Sequence, residues 1–108
     1  ETDLFGEQAI LCGGLIELIE KSYNLLIEKG YSKDISWHEC IGEIKYFLDL
    51  IEKNGTDGIY DHVSELASYG GKLNRKKIIN EKALNEILDD IKSKKFVIDF
   101  LYNKIKLN

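Results

Sequence analysis

Apolar side chains recur along this chain at the three- and four-residue spacing of helices, and no alternating strand pattern lasts beyond a few residues. The first predicted helix runs from about Leu4 to Lys29, with Gly30 placed to cap its C-terminus. A short loop, Tyr31 to Asp34, leads to a second helix over about Ile35 to Lys53, with Ser32 or Asp34 placed to cap its start. Gly55-Thr-Asp-Gly58 reads as a turn. A shorter helical stretch, about Ile59 to Ser68, is expected to end at Gly70-Gly71, and Lys72 to Ile79 reads as a basic loop. Asn80 is placed to cap a fourth helix over Glu81 to Lys92, whose apolar stripe is Leu84, Ile87, Leu88 and Ile91. Ser93 introduces a last helix carrying Phe96, Val97, Phe100, Leu101 and Ile105. The fold class is all-α, and the sequence has no internal repeat and no low-complexity tract.

The start of the first helix departs from a simple amphipathic pattern. Asp3 and Glu7 fall one turn apart on one face, which continues as Ile10, Leu11, Gly14 and Leu18. That face is apolar apart from the two carboxylates. A buried carboxylate is costly unless a positive group meets it, and the first cation downstream is Lys21. Gly6, Gly13 and Gly14 interrupt the same helix, each at about 1 kcal/mol relative to alanine. Glycines kept at that cost predict close approach of a neighbouring backbone or a ligand. The simpler reading of the carboxylates is that they face the positive end of the helix dipole, worth about 0.3–1 kcal/mol each.

A second pair weighs against that simpler reading. In the second helix, Trp37, Cys40, Ile41, Ile44, Phe47, Leu48 and Ile51 form a broad apolar face, and Lys45, Asp49 and Glu52 form a solvated arc. Glu39 and Glu43 fall on neither, and share a mixed side with Ile35, Tyr46 and Leu50. Two glutamates at this spacing repel by about 0.2–0.5 kcal/mol in an isolated helix. A divalent cation reverses the sign of that term. Helices that bring such faces together gather four carboxylates, an all-oxygen set suited to Mg²⁺ or Mn²⁺, with room for two ions about 3.5–4 Å apart. A di-iron bundle needs Glu-x-x-His on two helices. The only histidines are His38 and His62, and no Glu stands three residues before His38. His62 reads as an exposed or capping residue.

Composition narrows the functional classes. The 108 residues suit one domain with a modest core. A formal net charge of −4 gives no basic field for nucleic acid. No apolar run has the length of a membrane span. The chain begins with Glu1 on a helix entry, without a secretory signal, as expected of an excised domain or processed fragment. Cys12 and Cys40 lie in helical apolar surroundings and are expected as free thiols, and without CxxC or a His–Cys cluster zinc is disfavoured.

Residues 1 to 14, Glu-Thr-Asp-Leu-Phe-Gly-Glu-Gln-Ala-Ile-Leu-Cys-Gly-Gly, resemble the signature that opens the C-terminal helical domain of ketol-acid reductoisomerase. The resemblance continues at Glu39-Cys-Ile-Gly-Glu-Ile-Lys45, similar to E-C-x-x-E-x-K, and at Ser64-Glu-Leu-Ala-Ser-Tyr-Gly70, similar to S-x-T-A-x-Y-G. Asp89-Asp-Ile-Lys-Ser-Lys-Lys-Phe96 is similar to the family's D-I-x-x-G-x-F segment. The motifs run in order over nearly the whole chain.

The resemblance implies an all-α domain of the 6-phosphogluconate dehydrogenase C-terminal type that intertwines with a second copy as a homodimer. It implies two Mg²⁺ per site held by Asp3, Glu7, Glu39 and Glu43, with Asp3 as the bridge and with Glu7 and Glu43 moving protons. Ser64 matches a serine that contacts substrate. Leu11 and Cys12 match positions lining the pocket for the migrating alkyl group, with Leu48 and Val63 as further candidates. The implied reaction is an Mg²⁺-assisted alkyl migration in acetolactate or acetohydroxybutyrate. NADPH then reduces the product to a dihydroxy acid on the way to valine and isoleucine. In the family's short form, which this chain resembles, each site takes its two carboxylate pairs from different chains; the long form holds both copies in one knotted chain. The implied location is the cytoplasm, or the plastid stroma in a eukaryote. NADPH belongs to an N-terminal Rossmann domain, and no strand–GxGxxG–helix unit occurs in these residues, which therefore hold no cofactor-binding residue.

The chain departs from the family pattern at Leu66, where threonine is usual, and at Ser68, where an acidic residue is usual. Asn74-Arg75-Lys76 stands where a Gly-Pro-Arg turn commonly follows. Two readings from other classes stand beside the enzyme. One is a non-catalytic helical metal-binding dimerisation module. The other is a small nucleic-acid-binding protein using Lys72, Arg75, Lys76 and Lys77, which the acidic net charge opposes.

Overall fold

The computed structural model describes residues 1–107. Every element in it is helical, in five runs. The first run joins α1 (Thr2–Gly6), a π-helical segment π1 (Glu7–Gly14) and α2 (Leu15–Glu28). The second joins α3 (Lys33–Trp37), a second π segment π2 (His38–Gly42) and α4 (Ile44–Gly58), followed by a 3₁₀ turn (Ile59–His62). Then come α5 (Glu65–Ile78), α6 (Glu81–Lys92) and α7 (Lys95–Leu107).

Capping residues set most of the boundaries. Ser32, rather than Asp34, caps α3, its Oγ accepting from Ile35 N at 3.2 Å. Asn80 caps α6 through Ala83 N at 3.0 Å, as its position predicts. Gly30 closes α2 at φ 95°, with Gly30 N–H bonded to Ile27 O and Tyr31 N–H to Leu26 O. This is the paired bonding of a Schellman cap. Ser93 Oγ lies 3.4 Å from Lys95 N and accepts from it as α7 begins.

Two boundaries differ from the sequence expectation. Gly70-Gly71 does not end a helix, and the expected basic loop is the second half of α5. Neither glycine takes a positive φ, so neither acts as a terminator. No proline stands at 74–76 to remove an amide and block a turn, so α5 continues through Ile78. The break falls earlier, at Val63 (φ −129°, ψ 168°), and Ser64 caps α5 through Ala67 N at 3.1 Å. The expected turn at Gly55–Gly58 is a kink at Gly55 (φ 77°, ψ 171°), after which the chain resumes helical geometry.

The chain divides into two compact units. The first comprises residues 1–17 and 80–108, the second residues 18–79. In the first, α6 packs on α1 and π1, and α7 packs on α6. Its buried apolar residues are Ala9 and Ile91, and the expected stripe of α6 is buried or half-buried throughout. In the second, α4 and α5 pack on the 3₁₀ turn, Leu50 is buried, and Tyr23 meets Trp37 edge to face at 6.0 Å. Leu50 was expected on the mixed side of its helix and Leu48 on the core side. The structure reverses them, leaving Leu48 exposed. The π turn winds one more residue into the chain before α4, so an α wheel drawn across residues 35–53 misplaces the covered face.

Apolar surface is left open. The chain exposes 9164 Å². Two compact bodies of these sizes, counted wholly apart, would together expose roughly 7,400 Å². The excess therefore does not depend on how the units are placed, and it is of the order that one partner buries in an obligate interface.

One residue carries measurable strain. Lys94 sits at φ 67°, in the left-handed region, at the position where the D-I-x-x-G-x-F segment has its glycine. A side chain there costs about 1–2 kcal/mol. Lys94→Gly is expected to stabilise the chain by about 1 kcal/mol and raise its melting temperature by about 4–8 °C, read by calorimetry. An unchanged or lower melting temperature contradicts this.

Candidate metal and substrate site

The two carboxylate pairs both stand at the edge of a π segment. Asp3 lies in α1 and Glu7 opens π1. Glu39 lies within π2, and Glu43 follows it at φ −100°, ψ −1°, ahead of α4. All four side chains are exposed, and among the described residues none lies within ion-pair distance of a Lys or Arg. Glu43 alone has a side-chain partner: its Oε1 is 3.2 Å from His38 Nε2. The buried apolar setting expected for the first pair is not present in this chain, where Ile10 and Leu11 are 55% and 59% exposed.

The glycines of π1 have a local cause. A Cβ on Gly13 would stand 2.0 Å from Gln8 O, and one on Gly14 would stand 2.5 Å from Ala9 O. Both contacts are to a carbonyl five residues back, which π winding brings under that position. The close backbone approach expected from the sequence is therefore the helix's own. Gly6 has nothing within 4 Å of its notional Cβ.

Each candidate substrate residue keeps to its own unit. Leu11 and Cys12 lie on π1 in the first unit, both exposed. Leu48, Val63 and Ser64 belong to the second, with Val63 half-buried and Ser64 exposed. Ser64 Oγ spends one acceptor site on Ala67 N, which leaves its O–H free to donate to a ligand. Cys12 and Cys40 are free thiols. Among the described residues, no group of three or more His, Cys, Asp or Glu is placed to hold a metal ion. The donors fit a hard divalent cation by type, since all are carboxylate oxygens without competing cations, but a single pair supplies only two of the ligands such an ion needs.

Two features escaped the sequence reading. The π segments were invisible to an α wheel, although paired glycines at 13 and 14 were the signal for the first. The contact between His38 and Glu43 was missed because residues five apart do not face each other on an α-helix. A further polar cluster surrounds Tyr60 in the second unit: Arg75 Nη1 donates to its hydroxyl at 3.0 Å, Lys72 Nζ lies 4.8 Å from its ring centroid, and a Cβ on Gly71 would touch its edge.

No helix among the described residues is long and apolar enough to cross a membrane. Residues 1–107 match the family model described as ketol-acid reductoisomerase, C-terminal domain. The chain is 44% identical over 99 residues to the ketol-acid reductoisomerase (NADP(+)) of Methanocaldococcus jannaschii, covering 89% of this chain and 30% of that protein. It is 44% identical over 107 residues to the protein of the same name from Campylobacter hominis, covering 96% of this chain and 32% of that one. The solved structure of an NADH-preferring ketol-acid reductoisomerase from an uncultured archaeon superposes with a TM-score of 0.74 at 30% identity, covering 98% of this chain and 34% of that one. The chain thus spans about a third of the length of these relatives. A helical chain matched from residue 1 to residue 107 in this way belongs to the ketol-acid reductoisomerase family and corresponds to its C-terminal domain.

Proposed function

We propose that this chain supplies the magnesium ligands and the substrate wall for the conversion of acetolactate or acetohydroxybutyrate to dihydroxy acids. The observation that carries the reading is the state of the four carboxylates: exposed, without cations, and paired at the two π junctions. Asp3 and Glu7 of one copy meet Glu39 and Glu43 of a second copy in a homodimer, which completes a ligand set that neither pair provides alone. The open apolar surface of the lone chain supports this pairing of copies.

Asp3, Glu7, Glu39 and Glu43 would hold Mg²⁺, with Asp3 shared between two ions, and Glu7 and Glu43 would take up and return a proton as the hydroxyl and the new ketone exchange roles. When bound, Mg²⁺ supplies Lewis-acid polarisation of the ketol oxygens while the alkyl group migrates. Ser64 donates its free O–H to a substrate oxygen. Leu11 and Cys12, with Leu48 and Val63, present apolar surface to the migrating group and keep water from it. NADPH would be held by a separate dinucleotide-binding domain and would supply the hydride for the reduction.

Joined to such a domain, the chain is expected to oxidise NADPH when given acetolactate and Mg²⁺. Residues 1–108 alone are expected to sediment as a homodimer and to oxidise none, because nothing in them cradles a pyrophosphate. Turnover by the lone chain at a rate comparable to the joined protein, or a monomer at micromolar concentration, contradicts the proposal.

A further inference from the structure

The contact between His38 and Glu43 depends on two local features of the chain. On an α-helix, residues five apart diverge by roughly 140° and cannot meet. In π geometry the backbone bonds run from i to i+5, so such residues stack on one side. His38–Gly42 is π-helical, and the imidazole reaches across that turn to Glu43. Gly42 supplies the second condition. A Cβ there would stand 3.1 Å from His38 Nδ1 and 3.5 Å from its Cγ, so the ring lies against bare backbone. An ionised carboxylate only accepts, so Nε2 carries the proton and donates it to Oε1.

The geometry points to His38 as a positioning residue for Glu43: its Nε2–H holds Oε1 and leaves the second carboxylate oxygen turned to a divalent cation. The inference rests on the reading of Glu43 as a metal ligand. A glutamate with several rotatable bonds loses entropy when a metal fixes it. Fixing it beforehand removes part of that cost, and loss of a hydrogen bond to a ligating side chain typically weakens metal binding about 10–100-fold. Both side chains are mostly exposed, at 60% and 54%. The pair therefore adds little to stability, and its loss is expected to leave the melting temperature within about 3 °C.

The test uses Mn²⁺ as probe, with free ion read by electron paramagnetic resonance, on the full-length polypeptide. His38→Leu removes the donor, and His38→Gln keeps an N–H near the position of Nε2. His38→Leu is expected to weaken Mn²⁺ binding about 10-fold and His38→Gln to restore it to within about 3-fold of the parent. In the metal-free protein, Glu43→Gln is expected to move the ¹⁵N resonance of His38 Nε2. An unmoved resonance, a His38→Leu variant that binds like the parent, or a His38→Gln variant as weak as His38→Leu overturns the positioning role. Those outcomes leave the ligand reading standing if Glu43→Gln itself loses Mn²⁺. Binding that Glu43→Gln does not weaken, or a parent that binds none, overturns the ligand reading and this inference together.

Discussion

Mg²⁺ at about a hundred times its dissociation constant is expected to stabilise the dimer by about 2.7 kcal/mol, and Asp3→Asn or Glu39→Gln is expected to abolish that gain. The stabilisation corresponds to roughly 10–20 °C in melting temperature for a domain of this size. Each substitution removes one carboxylate from a different pair, so a cation shared between the pairs loses a ligand in either case. Without metal the two variants should melt no lower than the parent. In the proposed homodimer the two pairs face each other, so removing one charge relieves like-charge repulsion when no cation is present. Thermal melts with and without Mg²⁺, and with DNA as a control ligand, measure all of this. Full Mg²⁺ stabilisation retained in both variants would remove Asp3 and Glu39 from the ligand set. Metal-free variants several degrees less stable than the parent would assign the carboxylates a structural role instead.

Gly13→Ala is expected to destabilise the chain by about 3 kcal/mol, while Gly6→Ala, seven residues earlier in the same helical run, is expected to stabilise it by up to about 1 kcal/mol. The two substitutions add the same methyl group. At Gly13 that methyl would overlap Gln8 O at 2.0 Å, and the obstacle is backbone, which cannot swing aside. The π segment must then unwind. Rewinding it as α-helix shifts the register by one residue and rotates the rest of π1 against α6, which packs on it. At Gly6 the backbone is already helical (φ −60°, ψ −40°) and the space is open, so only the entropic gain of alanine remains. Paired thermal melts decide this. A Gly13→Ala variant as stable as the parent would mean that π winding is not maintained at 7–14.

Much of the fold was legible because its signals are local. Ser32 and Asn80 announce helix starts through a side-chain oxygen three residues ahead of an amide, and Gly30 announces an end through its positive φ. Each rests on one or two side chains and a short piece of backbone. Gly70 and Gly71 show the limit of such reasoning. The same residue type that ends α2 passes through the middle of α5, where Tyr60 lies over Gly71. A glycine permits a break without compelling one, and a neighbour from elsewhere in the chain decides.

The sequence by itself determined that the chain is all-α, where most helices begin and end, and that two carboxylate pairs stand at one-turn spacing. Helical period, caps and motif order are properties of neighbouring residues, and they survive without knowledge of what packs where. Only the tertiary structure decided that both pairs adjoin π turns, that Leu50 rather than Leu48 is covered, and that His38 reaches Glu43. These depend on winding. A single extra residue in one turn rotates all that follows, and an α wheel drawn from the sequence does not register it.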